Sequence, residues 1–306
     1  MGFTPSYIHL YETGELTNRV TEAHEMLREC KLCARECGVN RLEGEKGFCK
    51  SGKLAMISSA GPHFGEEPPL VGSHGSGTIF LTNCNLGCIF CQNYGISHLG
   101  DGKEADSAYL ARAMLLLQDA GCHNINFVTP THYVPQILDA LLIAVKDGLN
   151  VPLVYNCGGY ESLKTLKLLD GVFDIYMPDI KYSDNSIAEK YSKAPGYFDV
   201  VTVATSEMHR QVGDLVINEH GRAEKGLLVR HLVLPNNLAG TEKVIEYISR
   251  LSKNTYLNIM AQYSPQYKAS SYPELNRRVT SEEYANAILL AEKAGLTRGF
   301  YHERRQ

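Results

Sequence analysis

Short apolar runs alternate with longer segments of helical periodicity from about residue 70 onward. The runs are rich in Val, Ile, Leu and Phe, which is typical of buried β-strands. Strands that alternate with helices along a chain are the pattern of a parallel sheet with crossover helices. We predict six main strands, at residues 78–82, 124–128, 153–156, 173–177, 227–234 and 256–260.

Between these runs, apolar residues recur every three or four positions, which predicts amphipathic helices. The segment 107–120 is the clearest case, because Asp106 suits an N-cap and Gly121 suits the position after the helix. The segment 197–212 is ambiguous, since its valines favour a strand, but Pro195 favours the first turn of a helix. Further helices are predicted at residues 135–146, 162–169, 241–251 and 281–294.

Six parallel strands with crossover helices are expected to curl into a partial (β/α)6 barrel of the TIM type. The active face of such a barrel lies at the carboxyl ends of its strands. The pattern therefore predicts an α/β fold in three parts. These are an N-terminal cysteine-rich metal-binding segment at 1–75, the partial barrel at 76–263 and a C-terminal helical extension at 264–306.

Polar side chains occur at or just after the predicted strand ends, where a barrel carries its active site. Because these ends meet at one edge of the sheet, we expect the side chains to surround one cavity. Along the chain they are Cys84, Cys88, Cys91, Thr131, His132, Asn156, Asp179, Lys181, Arg230, Gln262 and Tyr263.

Composition narrows the class of partner. The chain has 30 Lys and Arg against 34 Asp and Glu, a net charge of −4, which provides no basic field for nucleic acid or anionic lipid. No apolar stretch reaches the roughly 18 residues of a membrane span, and the first residues lack a signal-peptide pattern. We expect a cytoplasmic protein without nucleic-acid or membrane partners. The nine cysteines then indicate metal or redox chemistry rather than disulfides.

Three cysteines lie close together in the segment CNLGCIFC, which follows the first predicted strand. Cys84, Cys88 and Cys91 offer three soft thiolate ligands. A cubane cluster has four irons, so three thiolates would leave one iron open to an outside ligand. A zinc site or three buried thiols are the alternatives.

Four further cysteines form a second group near the N-terminus. Cys30, Cys33, Cys37 and Cys49 lie among glycines that let the backbone turn around a central ion. Four thiolates suit a structural zinc ion, but the spacing does not match the paired halves of a zinc ribbon. The sequence therefore leaves zinc and an auxiliary iron–sulfur cluster both open.

The CNLGCIFC segment, with Phe90 before its last cysteine, resembles the signature of the radical S-adenosylmethionine enzymes. Residues 78–263 resemble the glycyl-radical activating branch, and specifically the subgroup related to pyruvate formate-lyase activating enzyme. The sequence departs from that branch in three places, and one of them is the lack of the eight-cysteine ferredoxin insert that some of those enzymes carry after the cysteine loop. The sequence has Thr129-Pro130-Thr131-His132 in place of Gly-Gly-Glu, and Asn156-Cys157-Gly158-Gly159 in place of Asp-Thr-Asn-Gly.

The resemblance implies a role for each matching residue. Cys84, Cys88 and Cys91 would hold a [4Fe–4S] cluster, Phe90 would lie against the adenine of S-adenosylmethionine, and Asn93 would assist there. Thr131 and His132 would meet the methionine amino group. Asn156, Asp179 and Lys181 would line the carboxylate and ribose region, with Gln262 and Tyr263 also at the cofactor. The predicted catalytic residues are Lys181, Asp179 and Arg230.

The resemblance also implies the chemistry. A reducing protein such as flavodoxin or ferredoxin would reduce the cluster under anaerobic conditions, and S-adenosylmethionine would be cleaved to a 5′-deoxyadenosyl radical that abstracts hydrogen. The substrate would be a glycyl-radical enzyme if the cavity mouth is open, or a small molecule or peptide if it is covered. A non-enzymatic electron carrier or scaffold is a third class. The segment 264–278 is either a connector or a lid over the mouth.

Overall fold

Six parallel strands form the centre of the protein, whose computed structural model describes residues 3–300. The described residues form nine strands in all, of which these six are part. In chain order the nine are β1 (Ala55–His63), β2 (Ser76–Leu81), β3 (Lys103–Ala105), β4 (Ile125–Val128), β5 (Leu153–Cys157), β6 (Ile175–Pro178), β7 (Val216–Ile217), β8 (Ala223–Leu232) and β9 (Tyr256–Met260). Parallel pairing runs in the order β2, β4, β5, β6, β8, β9. These six correspond to the predicted strands, so the partial α/β barrel is confirmed.

Helices lie before, between and after these strands. They are α1 (Ser6–Glu12), α2 (Glu15–Glu25), α3 (Pro68–Val71), α4 (Tyr94–Ser97), α5 (Ser107–Asp119), α6 (Val134–Lys146), α7 (Leu163–Leu168), α8 (Asn185–Ser192), α9 (Tyr197–Val212), α10 (Thr241–Leu251) and α11 (Ser281–Lys293). The Asp106 side chain accepts a hydrogen bond from the Tyr109 N–H and caps α5, as the sequence predicted. The ambiguous segment is the helix α9. Across residues 3–300, no helix is long and apolar enough to span a membrane.

Three strands lie outside the parallel set. β1 pairs antiparallel with β2, β3 pairs antiparallel with β1, and β7 pairs antiparallel with β8. β1 was not predicted, because its second half contains Gly61 and Pro62 and is largely exposed. β1 therefore joins the N-terminal segment to the barrel sheet. The division at 75 and 263 stays a prediction, and residues 301–306 of the predicted extension lie outside the described range.

The interior of the fold is a continuous apolar core. The strands β4, β5 and β6 are almost wholly buried, and the Phe173 ring contacts those of Phe127 and Tyr155 edge to face. The helix α6 buries most of its length against α2 and α5. This rigid frame fixes the positions of the loops that follow the strands.

Candidate active site

A cavity of about 390 Å³ lies where the carboxyl ends of the parallel strands meet. Most of the predicted site residues line it. They are Cys84, Cys88, Phe90, Cys91, Asn93, Asn156, Asp179, Lys181, Arg230, Gln262 and Tyr263. Residues from five different strand ends thus reach one space, as expected for a barrel enzyme.

The loop after β2 presents three sulfur atoms to this cavity, and each has a hydrogen-bonding neighbour. The Leu86 N–H donates to Cys84 Sγ at 3.3 Å. The Ser192 hydroxyl donates to Cys88 Sγ at 3.0 Å, and the Ser97 hydroxyl lies 3.1 Å from Cys91 Sγ. Hydrogen bonds to the sulfurs are one means by which proteins tune an iron–sulfur cluster.

The surroundings of these thiols suit a metal cluster. Burial raises the pKa of Cys84 well above its usual range, and the neighbouring Cys88 adds to that effect. Burial also raises the pKa of Cys88 to about 11, although the charge of Lys181 opposes the shift. A cationic cluster would displace these protons and be ligated by three thiolates. Within the part of the chain that is described, no three His, Cys, Asp or Glu side chains are gathered where they could hold a metal, so both cysteine groups would have to close around theirs.

The polar wall of the cavity is an ion-pair network. The Arg230 guanidinium donates to Asp179 Oδ1 at 2.7 Å and to Asn156 Oδ1 at 2.6 Å. Lys181 Nζ donates to Asp179 Oδ2 at 2.5 Å. Burial acts to raise the pKa of Asp179, but Arg230 and Lys181 together hold it below its usual value. Asp179 is therefore a carboxylate that orients two cations.

Two acids that sequence reasoning missed complete this wall. Glu66 lines the cavity, and its carboxylate and that of Glu67 each lie 3.8 Å from Arg230. Burial raises the pKa of Glu66 to about 7, although Arg230 opposes the shift. The sequence carried no signal for them, because they follow the unpredicted strand β1 and read as an ordinary acidic loop.

An aromatic group borders the other side of the cavity. The Phe90 ring contacts the rings of Tyr263 and Tyr182 edge to face, with centroid distances of 5.6 and 6.4 Å. The Tyr263 hydroxyl donates to the Leu275 carbonyl, so the ring of Tyr263 rather than its hydroxyl is available to the cavity. An apolar aromatic border of this kind suits a planar base.

Thr131 and His132 do not reach the cavity, contrary to their predicted place at the methionine amino group. They lie in a 3₁₀ turn, Thr131–Tyr133, that points both side chains into the core. Thr131 donates to Glu161 Oε1 at 2.8 Å, and His132 Nε2 lies 2.9 Å from the Thr82 carbonyl oxygen. Thr129, with a positive φ of 60°, lines the cavity in their place.

The N-terminal cysteines lie beside the loop at residues 84–91, called the cluster loop below, rather than in the cavity lining. Cys30 and Cys33 are buried, Cys49 is half-buried and Cys37 is exposed. Burial raises the pKa of Cys33 to about 12, and Cys49 and Cys30 contribute to the shift. A Cβ atom on Gly47 would lie 2.5 Å from Cys37 Sγ, so this glycine makes room for the sulfur.

Comparison with known proteins identifies a relative of this chain. No protein-family model matches the chain. An uncharacterized protein of Methanocaldococcus jannaschii, MJ0674, is 36% identical over 288 residues, which are 91% of this chain and 78% of the relative. The chain belongs to the same family as MJ0674.

Solved structures share the fold. Streptococcus suis SuiB bound to S-adenosylmethionine matches 72% of this chain with a TM-score of 0.50 and 14% identity. HydG, a maturase of the [FeFe]-hydrogenase, matches 73% with a TM-score of 0.52 and 13% identity. This chain covers 48% and 50% of those two chains, so it spans about half their length. The predicted partial barrel of the radical S-adenosylmethionine type is confirmed as the fold.

Proposed function

We propose that the protein is a radical S-adenosylmethionine enzyme. The observation that carries this proposal is the set of three cavity-lining thiols, Cys84, Cys88 and Cys91, each with its own hydrogen-bonding neighbour. A set of three suits a [4Fe–4S] cluster with one iron left for the amino and carboxylate groups of the cofactor. When bound, the cluster and S-adenosylmethionine supply the reductive cleavage that generates a 5′-deoxyadenosyl radical.

The residues of the chain would bind and orient the cofactor. Among the described residues, Lys181 has a single carboxylate partner, Asp179, and its Nζ can add a second charge-assisted bond to the methionine carboxylate. Arg230 holds Asp179 and Asn156 in place. The rings of Phe90 and Tyr263 would flank the adenine and exclude water from the site.

For the substrate we favour a small molecule or a peptide over a glycyl-radical partner protein. The segment after β9 runs along the cluster loop, where the Lys268 N–H donates to the Ile89 carbonyl at 2.8 Å. Tyr267 stacks on Tyr94 and His98 at the same place. A segment held in this position leaves less room beside the cavity for a folded partner's loop. The SuiB structure with its precursor peptide SuiA has the same fold, which supports including peptides.

The function is tested by anaerobic reconstitution with iron and sulfide. Reduced protein with S-adenosylmethionine should release 5′-deoxyadenosine slowly even without substrate. The C84A/C88A/C91A variant should lose this release. The matched control is Cys122→Ala, because Cys122 is a buried thiol that lies outside both cysteine groups and bonds to the His74 carbonyl. Release that persists in the triple variant would remove the proposal.

The substrate class needs a separate experiment. Deoxyadenosine release should rise above the substrate-free rate with one pool of small metabolites or short peptides. A rise only with a purified glycyl-radical enzyme, together with a glycyl radical signal on that enzyme, would instead establish the activase function. Flavodoxin or ferredoxin would serve as the reducing partner in both assays.

A further inference from the structure

Arg35 joins the N-terminal cysteine group to the loop that presents Cys84 and Cys88. It lies between Cys33 and Cys37 in the sequence. Its Nε donates to the Asn85 carbonyl at 2.6 Å, and its Nη2 donates to the Lys193 carbonyl at 2.5 Å. Asn85 lies inside the cluster loop, and Lys193 ends the helix α8 that carries Ser192. One guanidinium therefore ties three segments together.

The guanidinium is also stacked between aromatic rings. Its central carbon lies 3.3 Å from the centroid of Phe48 and 5.6 Å from that of Tyr160. Phe48 precedes Cys49, and the Tyr160 carbonyl accepts a hydrogen bond from the Asn85 side chain at 2.7 Å. Stacking and partial burial reduce the screening of the charge by water.

The charge lies near thiols of both cysteine groups, because Arg35 is two residues from Cys33 and bonds to the residue that follows Cys84. Partial burial lowers the pKa of Arg35, while Tyr160, Cys33, Cys84 and Cys49 act in the opposite direction. Cys33 and Cys49 belong to the N-terminal group and Cys84 to the cluster loop. The two carbonyl acceptors carry no formal charge, so neither bond neutralises the guanidinium.

We infer that Arg35 is a positioning residue that docks the N-terminal cysteine segment on the cluster loop and raises the reduction potential of the cluster. The inference rests on the proposed function. Reduction adds one negative charge to a cluster, and a fixed cation next to one of its ligands stabilises the reduced form. An arginine keeps its charge at every working pH.

The test is a redox titration followed by electron paramagnetic resonance under anaerobic conditions. The signal to be measured is the one that S-adenosylmethionine perturbs, because only a cluster with an open iron responds to it. At a fixed solution potential, Arg35→Gln should lower the ratio of reduced to oxidised cluster about tenfold, a shift of about 59 mV for one electron. Arg35→Lys keeps the charge and should lower that ratio less than threefold. Arg28→Gln is the control, since Arg28 is exposed and its ion-pair partner within residues 3–300 is the exposed Glu25.

Equal ratios in wild type and Arg35→Gln would overturn the inference. It would also be overturned if Arg35→Lys fell as far as Arg35→Gln, or if both variants lost their iron while folded, since the role would then be structural only. Failure of the proposed function is distinguishable, because wild-type protein would then give no signal that S-adenosylmethionine perturbs.

Discussion

Lys181 has fewer side-chain partners than Arg230, the other cation of the ion-pair wall. Among the described contacts, Lys181 pairs with Asp179 alone, whereas Arg230 contacts four side chains. A charge-assisted bond to a bound carboxylate contributes roughly 1.5 to 3 kcal/mol. We expect Lys181→Met to weaken S-adenosylmethionine binding about ten- to a hundredfold with the cluster retained. Lys181→Arg should restore binding only in part, since a planar fork differs from a compact ammonium.

The measurement is an anaerobic titration with S-adenosylmethionine, followed by the cluster spectrum. Lys146→Met is the matched control, because Lys146 is an exposed lysine at the end of α6. An unchanged dissociation constant in Lys181→Met would withdraw Lys181, Asp179 and Asn156 from the proposed cofactor site.

Glu66 predicts a dependence of stability on pH. Its pKa is raised from 4.5 to about 7 by burial, so the folded state favours the protonated form. Its contribution to stability is therefore complete below about pH 4.5 and is lost as the pH rises to about 7. Glu66→Gln imitates the neutral form and avoids that loss. The variant should gain stability relative to wild type between pH 5 and 7, by at most about 1.4 kcal/mol per pH unit.

Urea unfolding at pH 5, 6 and 8 measures this difference. The control is Glu104→Gln, since Glu104 is exposed on β3. A constant difference between Glu66→Gln and wild type across this range would mean that Glu66 is charged in the folded protein.

At the scale of elements, Tyr267 fixes the segment after β9 to the helix α4, which follows the cluster loop. Its ring stacks on Tyr94 and His98 with centroid distances of 5.2 and 4.8 Å. One such stack contributes about 1 kcal/mol. Losing it should make the population in which this segment is detached from the protein about fivefold larger. Tyr267→Ala should therefore increase the rate of cluster loss in air about fivefold, with anaerobic iron content unchanged.

Cluster absorbance after exposure to air gives this rate. Tyr267→Phe keeps the ring and should behave as wild type. If Tyr267→Ala bleached no faster than Tyr267→Phe, the segment would be a connector and not a lid.

Elements with a strong periodic pattern were predictable, and those that depend on a distant partner were not. The helix α5 has its cap and its apolar spacing within its own sequence. The strand β1, by contrast, exists because its backbone pairs with β2, and its own residues favour no strand. The inward orientation of His132 was not predictable for a similar reason, since its position after a strand does not reveal that the next turn points to the Thr82 carbonyl.

At the scale of the whole molecule, the N-terminal segment is bound to the barrel at several places. Cys33 and Glu161 form an isolated antiparallel bridge, and Arg41 donates to the His132 carbonyl at 2.6 Å. Arg41 is fully buried. The cysteine spacing indicated a metal site, but the sequence held no information on where that site would lie. Its position beside the cluster loop depends on these long-range contacts.

The last prediction concerns which metal Cys30, Cys33, Cys37 and Cys49 bind. In the C84A/C88A/C91A variant, metal analysis should find about one zinc per chain, because four thiolates close a tetrahedral site. About four irons would establish an auxiliary cluster instead, and no metal would remove both interpretations. Adding Cys33→Ala should release the ion and lower the melting temperature, since metal binding is coupled to folding. In the otherwise native chain, Cys33→Ala should lower the melting temperature clearly. The rate of deoxyadenosine release, measured per folded protein, should fall much less. A loss confined to that release, with stability unchanged, would contradict a structural site.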